Sequence, residues 1–179
     1  GTTILYNLIK FNKIEIFELV SNNDSIKIGI DILDKKDIKG RTSLHYCVLF
    51  NNLKIAEFIL DNDGDPFLKD KLGDNLFFYC IKYDRTKFLL YLLDRFDNQK
   101  MRNKDGESLL QSSINYSNEK IFDYLVNKTN INLDNQTTEY GLTALHQLTV
   151  NNDIKKVKLL VKKGADVEIS DYLGNNLIH

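Results

Sequence analysis

Cysteine is nearly missing from this chain: Cys47 and Cys80 are the two in 179 residues. That excludes a disulfide scaffold and fits a reducing compartment. Proline is rarer still, with Pro66 alone, so there is no proline-rich linker, and no shift in composition divides the chain. No apolar run approaches the roughly 18 residues of a membrane-spanning helix. The cluster Phe88-Leu89-Leu90-Tyr91-Leu92-Leu93 is far too short, so membrane insertion is not expected. Neither sign of charge dominates, since 24 Lys and Arg against 25 Asp and Glu leave a net charge of −1. A chain so balanced is not built to grip nucleic acid through bulk charge. At 42% hydrophobic and 27% charged residues it is equally unlike a disordered tail. The first ten residues hold one lysine and no small-residue cleavage site, unlike a signal peptide. The expected location is intracellular, in cytoplasm or nucleus.

What the chain does have is a repeat. Glycines followed by a short polar-apolar signature fall at Gly1, Gly40, Gly73, Gly106, Gly141 and Gly174, spaced by 39, 33, 33, 35 and 33 residues. The segments read GTTILY, GRTSLH, GDNLFF, GESLLQ, GLTALH and GNNLIH. Asp37, Asp70, Asn103, Thr138 and Asp171 sit three residues upstream of the last five glycines. Asp and Asn suit a turn because their side chains bond nearby backbone, and glycine supplies a permissive dihedral. Within each unit the apolar pattern is helical and comes in two bouts. Leu44, Cys47 and Val48 form one stripe, Asn51-Asn52 breaks it, and Leu53, Ile55, Ala56, Ile59 and Leu60 form the next. Gly164-Ala165-Asp166-Val167 stops the second helix of the fifth unit. Neither short helix can bury its apolar face alone, so adjacent units must stack.

On these segments the chain resembles an ankyrin-repeat protein over its whole length. Gly40-Arg41-Thr42-Ser43-Leu44-His45, Gly141-Leu142-Thr143-Ala144-Leu145-His146 and Lys163-Gly164-Ala165-Asp166-Val167 match that family's pattern closely. The motif proline is absent, replaced by Ile4, Ser43, Leu76, Leu109, Ala144 and Leu177. The resemblance implies an all-α solenoid of paired antiparallel helices joined by β-hairpin-like loops. It would be a single domain over 1–179, with repeats starting near 1, 37, 70, 103, 138 and 171. Six extra residues within Asn22 to Asp37, and two around Leu133 to Thr138, are expected in surface loops. Neither end carries a polar capping repeat, so the chain is expected to be a fragment of something longer.

Residues that look chemical are tied to the repeat. His45, His146 and His179 share one motif position, held elsewhere by Tyr6, Phe78 and Gln111. One per layer at roughly 8–10 Å, they cannot converge on a metal; in the family this histidine bonds backbone between repeats. Cys47 and Cys80 are 33 apart, one layer each, beyond the ~7 Å reach of a disulfide. No phosphate-binding glycine loop, zinc-binding cysteine pair or hydrolase triad is present, so neither catalysis nor a cofactor is expected.

Family resemblance puts partner binding on the concave face, formed by the turn tips and the first helices. The tip residues expected to meet a partner are Lys39, Arg41, Lys71, Leu72, Lys104, Tyr140 and Tyr172. At the ends of the first helices, Leu49 and Lys82 lie beside a row of aromatics, Phe11, Phe50, Tyr83 and Tyr116. Such rings supply rigid contact area for binding; the alternative is that they pack between repeats. Tips two to four are basic and the later ones aromatic and apolar, which predicts an acidic partner segment with hydrophobic anchors. The expected function is a non-catalytic protein-interaction module. The alternative is a regulatory or targeting segment of a larger enzyme, signalling or trafficking protein.

Overall fold

A computed structural model describes residues 4–21, 33–96 and 100–177. Gly1, His179 and residues 22–32 of the stretch expected to hold the six-residue insertion lie outside the described residues. Among the described residues there are ten α-helices and no strand. They pair as α1 (Ile4–Lys10) with α2 (Ile14–Ser21), α3 (Ser43–Leu49) with α4 (Leu53–Asp61), and α5 (Leu76–Lys82) with α6 (Thr86–Arg95). The remaining pairs are α7 (Leu109–Asn115) with α8 (Glu119–Lys128) and α9 (Ala144–Val150) with α10 (Ile154–Lys162). The chain divides into two compact units, Gly1–Leu92 and Leu93–His179.

The starts of α3, α5, α7 and α9 are written in their sequences, capped by Thr42, Asn75, Ser108 and Thr143. Asn75 caps α5, its Oδ1 accepting from the N–H groups of Phe77 at 3.1 Å and Phe78 at 3.4 Å. Ser108 caps α7, accepting from Gln111 N–H at 3.3 Å while its own N–H donates to Gln111 Oε1 at 3.0 Å. Such reciprocal bonds satisfy the orphan donors of a helix N-terminus. Each first helix ends in a left-handed residue: Asn12, Asn51, Asp84, Ser117 and Asn152, with φ between 50 and 59°. Asn and Asp tolerate that region better than most residues. The following N–H closes the helix by a six-to-one bond, as Asn52 does to Cys47 O and Arg85 to Cys80 O, both at 2.8 Å.

In the first unit α1 packs on α3, α3 on α5, and α2 on α4. Its core includes Ile9, Phe17, Ile55, Ile59, Phe77 and Phe88, all buried. Side-chain donors also cross the layers to carbonyls at the ends of the first helices. The Arg85 guanidinium donates to Val48 O at 3.1 Å and Leu49 O at 3.2 Å, and the Asn52 amide reaches Ile9 O. In the second unit α7 packs on α9. Cys47 and Cys80 are free and buried, and burial pushes both thiols up. They are core residues, not nucleophiles.

Candidate functional site

Each tip is a hairpin-like turn bonded to its neighbour through backbone. Asp37 N–H donates to Arg41 O at 3.0 Å and Gly40 N–H to Asp37 O at 2.9 Å, and the turns at Asp70 and Asn103 repeat this. Between tips of the first unit, Lys71 N–H donates to Lys39 O at 2.9 Å. Within the second unit, Thr138 N–H donates to Asp105 O at 3.2 Å and Tyr172 N–H to Tyr140 O at 3.0 Å.

The motif histidine ties tip to helix. Thr42 N–H donates to His45 Nδ1 at 3.1 Å, and His45 Nε2 lies 3.3 Å from Asp74 O of the next repeat. His146 repeats the arrangement with Thr143 and with Asn175 O at 3.0 Å. Gln111 does the same without a ring, its amide donating to Leu142 O at 2.6 Å. The Thr42 hydroxyl also lies 3.0 Å from Nδ1, so the ring is held on both nitrogens within a buried site. Burial, the largest cause, lowers the His45 pKa from its ordinary 6.5, against the opposing pull of the Asp74 carbonyl. An unfolded chain therefore binds a proton that the folded one refuses, so this stability is full above about pH 6.5 and fades as pH falls below it. His45→Gln is expected to flatten the decline in melting temperature between about pH 7 and pH 5. An unchanged slope would place the titration elsewhere.

Two of the cations expected to face a partner, Arg41 and Lys82, are already paired within the chain. Arg41 donates to Asp37 Oδ2 through Nη2 at 2.7 Å and Nε at 2.9 Å, and its guanidinium lies over the Tyr46 ring at 4.6 Å. Lys82 Nζ pairs with Asp74 at 3.2 Å. Tyr46 O–H donates to the same Asp37 oxygen at 2.7 Å, and Tyr79 O–H to Asp70 Oδ2 at 2.7 Å. Burial alone would raise the Asp37 carboxyl, but the bonds from Tyr46 and Arg41 hold it well below the usual carboxylate range. Burial and the same bond push Tyr46 up to about 12. Each of these tyrosines lies nine residues after its turn aspartate.

The side chains of Lys39, Lys71 and Lys104 are exposed. Of the aromatic row, Phe11, Tyr83 and Tyr116 are exposed, whereas Phe50 is half-buried, as is Leu49. Phe50 lies edge-on to Tyr6 at 5.7 Å and stacked on Tyr46 at 6.2 Å, and Tyr6 meets Tyr46 edge-on at 4.9 Å. The first unit thus gathers Tyr6, Tyr46 and Phe50 into one half-buried ring cluster that spans two repeats. Leu72, Tyr140 and Tyr172 are exposed, the Tyr172 ring lying over Gly141.

Among the described residues no group of three or more His, Cys, Asp or Glu could hold a metal ion. Nor is any helix there long and apolar enough to cross a membrane. An open hollow of about 460 Å³ at the end of α8 is lined by Val126, Thr129, Ile131, Asp134 and Lys163. Asp134 is occupied there, accepting the Asp166 N–H at 2.9 Å.

Residues 77–171 match the family profile described as ankyrin repeats in three copies, and residues 39–71 match that of a single ankyrin repeat. Over 65 residues, 36% of the chain, the sequence is 32% identical to an ankyrin repeat protein of Acanthamoeba polyphaga mimivirus. The match spans 8% of that protein's length. The ankyrin repeat domain of Bcl-3, described as a unique member of the IkappaB protein family, superposes with a TM-score of 0.80 at 20% identity. That superposition covers 100% of this chain and 79% of the other. A chain from the complex of the predatory endopeptidase Bd0816 of Bdellovibrio bacteriovorus with immunity protein Bd3460 gives 0.77 at 20% identity, covering 99% of this chain and 90% of that one.

Proposed function

The chain belongs to the ankyrin-repeat family, whose repeats are protein-interaction modules, and from this we propose that it is a non-catalytic module holding a partner polypeptide on its concave face. The observation that carries this reading is the ring cluster of the first unit, Tyr6, Tyr46 and Phe50, with Tyr83 exposed and Lys39 and Lys71 open at the tips. Apolar faces beside unshielded ammonium groups favour an acidic segment with hydrophobic anchors. Arg41 and Lys82 contribute less to that attraction than their charge implies, because Asp37 and Asp74 neutralise them. The cytoplasm and the nucleus are the compartments this reading favours, given two reduced cysteines. A second reading makes the chain a regulatory or targeting segment of a larger protein. It is favoured by the length of the mimivirus relative, of which the match is a small part.

Peptide display against the immobilised chain tests the proposal. Selected peptides should be acidic, carry aromatic or aliphatic anchors, and lose affinity about tenfold or more for Tyr83→Ala, a truncation of the size seen at binding hot spots. Lys39→Glu/Lys71→Glu should weaken them further and remove their salt dependence. Peptides that bind these variants as well as the parent chain would move the interface off this face.

A further inference from the structure

One helix face carries charge that the chain leaves unneutralised. Lys155, Lys158 and Lys162 of α10 are spaced by three and four residues, which lines them up on one side of the helix. All three are exposed, as is Lys163 just beyond the helix. α10 itself contains no Asp or Glu. Lys156, by contrast, is neutralised, pairing with Glu119 at 2.5 Å and Asp153 at 3.1 Å. Among the described residues no ion pair reaches the other four lysines.

Interior repeats break up this stripe. Lys54 and Lys120 stand where Lys155 does, but Glu57 and Asp123 take the place of Lys158, and Asp61 and Asn127 that of Lys162. Exposure at these positions belongs to the repeat and not to the place of α10 in the series. Lys54, Asp61, Lys120, Asp123 and Asn127 are exposed too, although a further helix pair follows each within its unit. The arrangement works against the helix that bears it. Lys155 with Lys158, and Lys158 with Lys162, are like charges at i,i+3 and i,i+4, which weakens a helix where opposite charges would strengthen it. Lys155 also sits in the first turn, at the positive end of the helix dipole.

The form of the stripe narrows the anion that it suits. Its three lysines span about 10 Å along the helix, at 1.5 Å per residue. Lysine is a compact charge on a flexible stem and lacks the planar fork with which arginine grips a fixed phosphate. α10 offers no aromatic ring on which a nucleic acid base could stack. A straight row of mobile point charges fits a flat, fluid array of negative headgroups. We propose that the lysine stripe of α10, with Lys163, rests on the surface of an anionic bilayer, its ammonium groups among the headgroups and the helix outside the hydrocarbon. Anionic lipids are concentrated on cytoplasmic leaflets, which agrees with the compartment proposed above. Each lysine strengthens the association about fivefold, so binding is reversible and sensitive to salt.

Co-sedimentation of the full chain with phosphatidylcholine vesicles holding about 30% phosphatidylserine, at about 50 mM and about 500 mM salt, tests this. Binding is expected at the lower salt, lost at the higher, and missing with phosphatidylcholine alone. Lys155→Glu/Lys158→Glu/Lys162→Glu should lower the partition coefficient about a hundredfold or more, whereas Lys155→Arg/Lys158→Arg/Lys162→Arg should keep it. Lys158→Glu alone restores the sign found at Glu57 and Asp123. It should weaken binding while the melting temperature holds or rises, because the repulsion along α10 is relieved. No binding at the lower salt, equal binding by the glutamate variants, or an equal loss in Lys39→Glu/Lys71→Glu would each overturn the proposal. Tighter binding to a DNA duplex than to the vesicles at the same salt would make nucleic acid the occupant and overturn it as well. Tyr83→Ala, which tests the concave face, should bind the vesicles as the parent chain does, so the two readings fail separately.

Discussion

Phe77→Ala is expected to lower the unfolding free energy by about 3–5 kcal/mol, enough to unfold a domain near the low end of ordinary stability. Every residue from Leu76 to Ile81 is buried, so α5 has no solvent side on which a cavity could be filled by relaxation. The ring stacks on Phe67 at 5.9 Å, and truncation strips that partner as well. Phe77→Leu keeps most of the volume and should cost about 1.5 kcal/mol or less. Urea titration would show the difference as a midpoint shift at an unchanged slope. Equal midpoints for the two variants would mean that the site collapses around the smaller side chain.

Gly40→Ala should cost about 2 kcal/mol or more, although it adds one methyl group. Two penalties combine. At φ +77° the backbone is left-handed, which costs a residue with a Cβ roughly 1–2 kcal/mol. The new Cβ would also stand 2.8 Å from Lys71 N and 3.1 Å from Asp70 Cα, both backbone atoms of the next turn. The bond from Lys71 N–H to Lys39 O depends on that closeness. Thermal melts should therefore show a loss larger than for Gly164→Ala, where φ is also positive but no atom lies within 4 Å of the added Cβ. Similar losses at the two glycines would leave the dihedral as the whole cost and the close approach without effect.

The fold was legible because its signals recur in register. Turn glycines, paired helical stripes and the histidine position locate the helices, and Gln111 confirms that the position is a backbone tie rather than a ligand. The binding surface was read less completely. Charge counting treats Arg41 and Lys82 as free, because the sequence does not say that Asp37 and Asp74 fold back onto them. The row Phe11, Phe50, Tyr83 and Tyr116 shares a register but not an environment. Phe50 is half-buried because Tyr6 and Tyr46 happen to stand beside it, a fact of neighbouring layers rather than of spacing. Tyr46 and Tyr79, and likewise Asn52 and Arg85, did leave a trace, since each pair is 33 residues apart. At Asn52 and Arg85 the trace is masked because unlike side chains, an amide and a guanidinium, do one job.

The backbone bonds between tips carry a consequence for how this molecule could change over time. Lys39, Lys71, Asp105, Tyr140 and Tyr172 hold neighbouring turns together with main-chain atoms only. The fold consequently takes almost no interest in which letters are written at those places. A lineage could respell its recognition text one tip at a time, trading lysine for tyrosine or aspartate, while the grammar beneath stays fixed in the glycines and the buried ties. Variation concentrated at the tips would then be the ordinary record of a shifting set of partners, not a sign of a decaying fold.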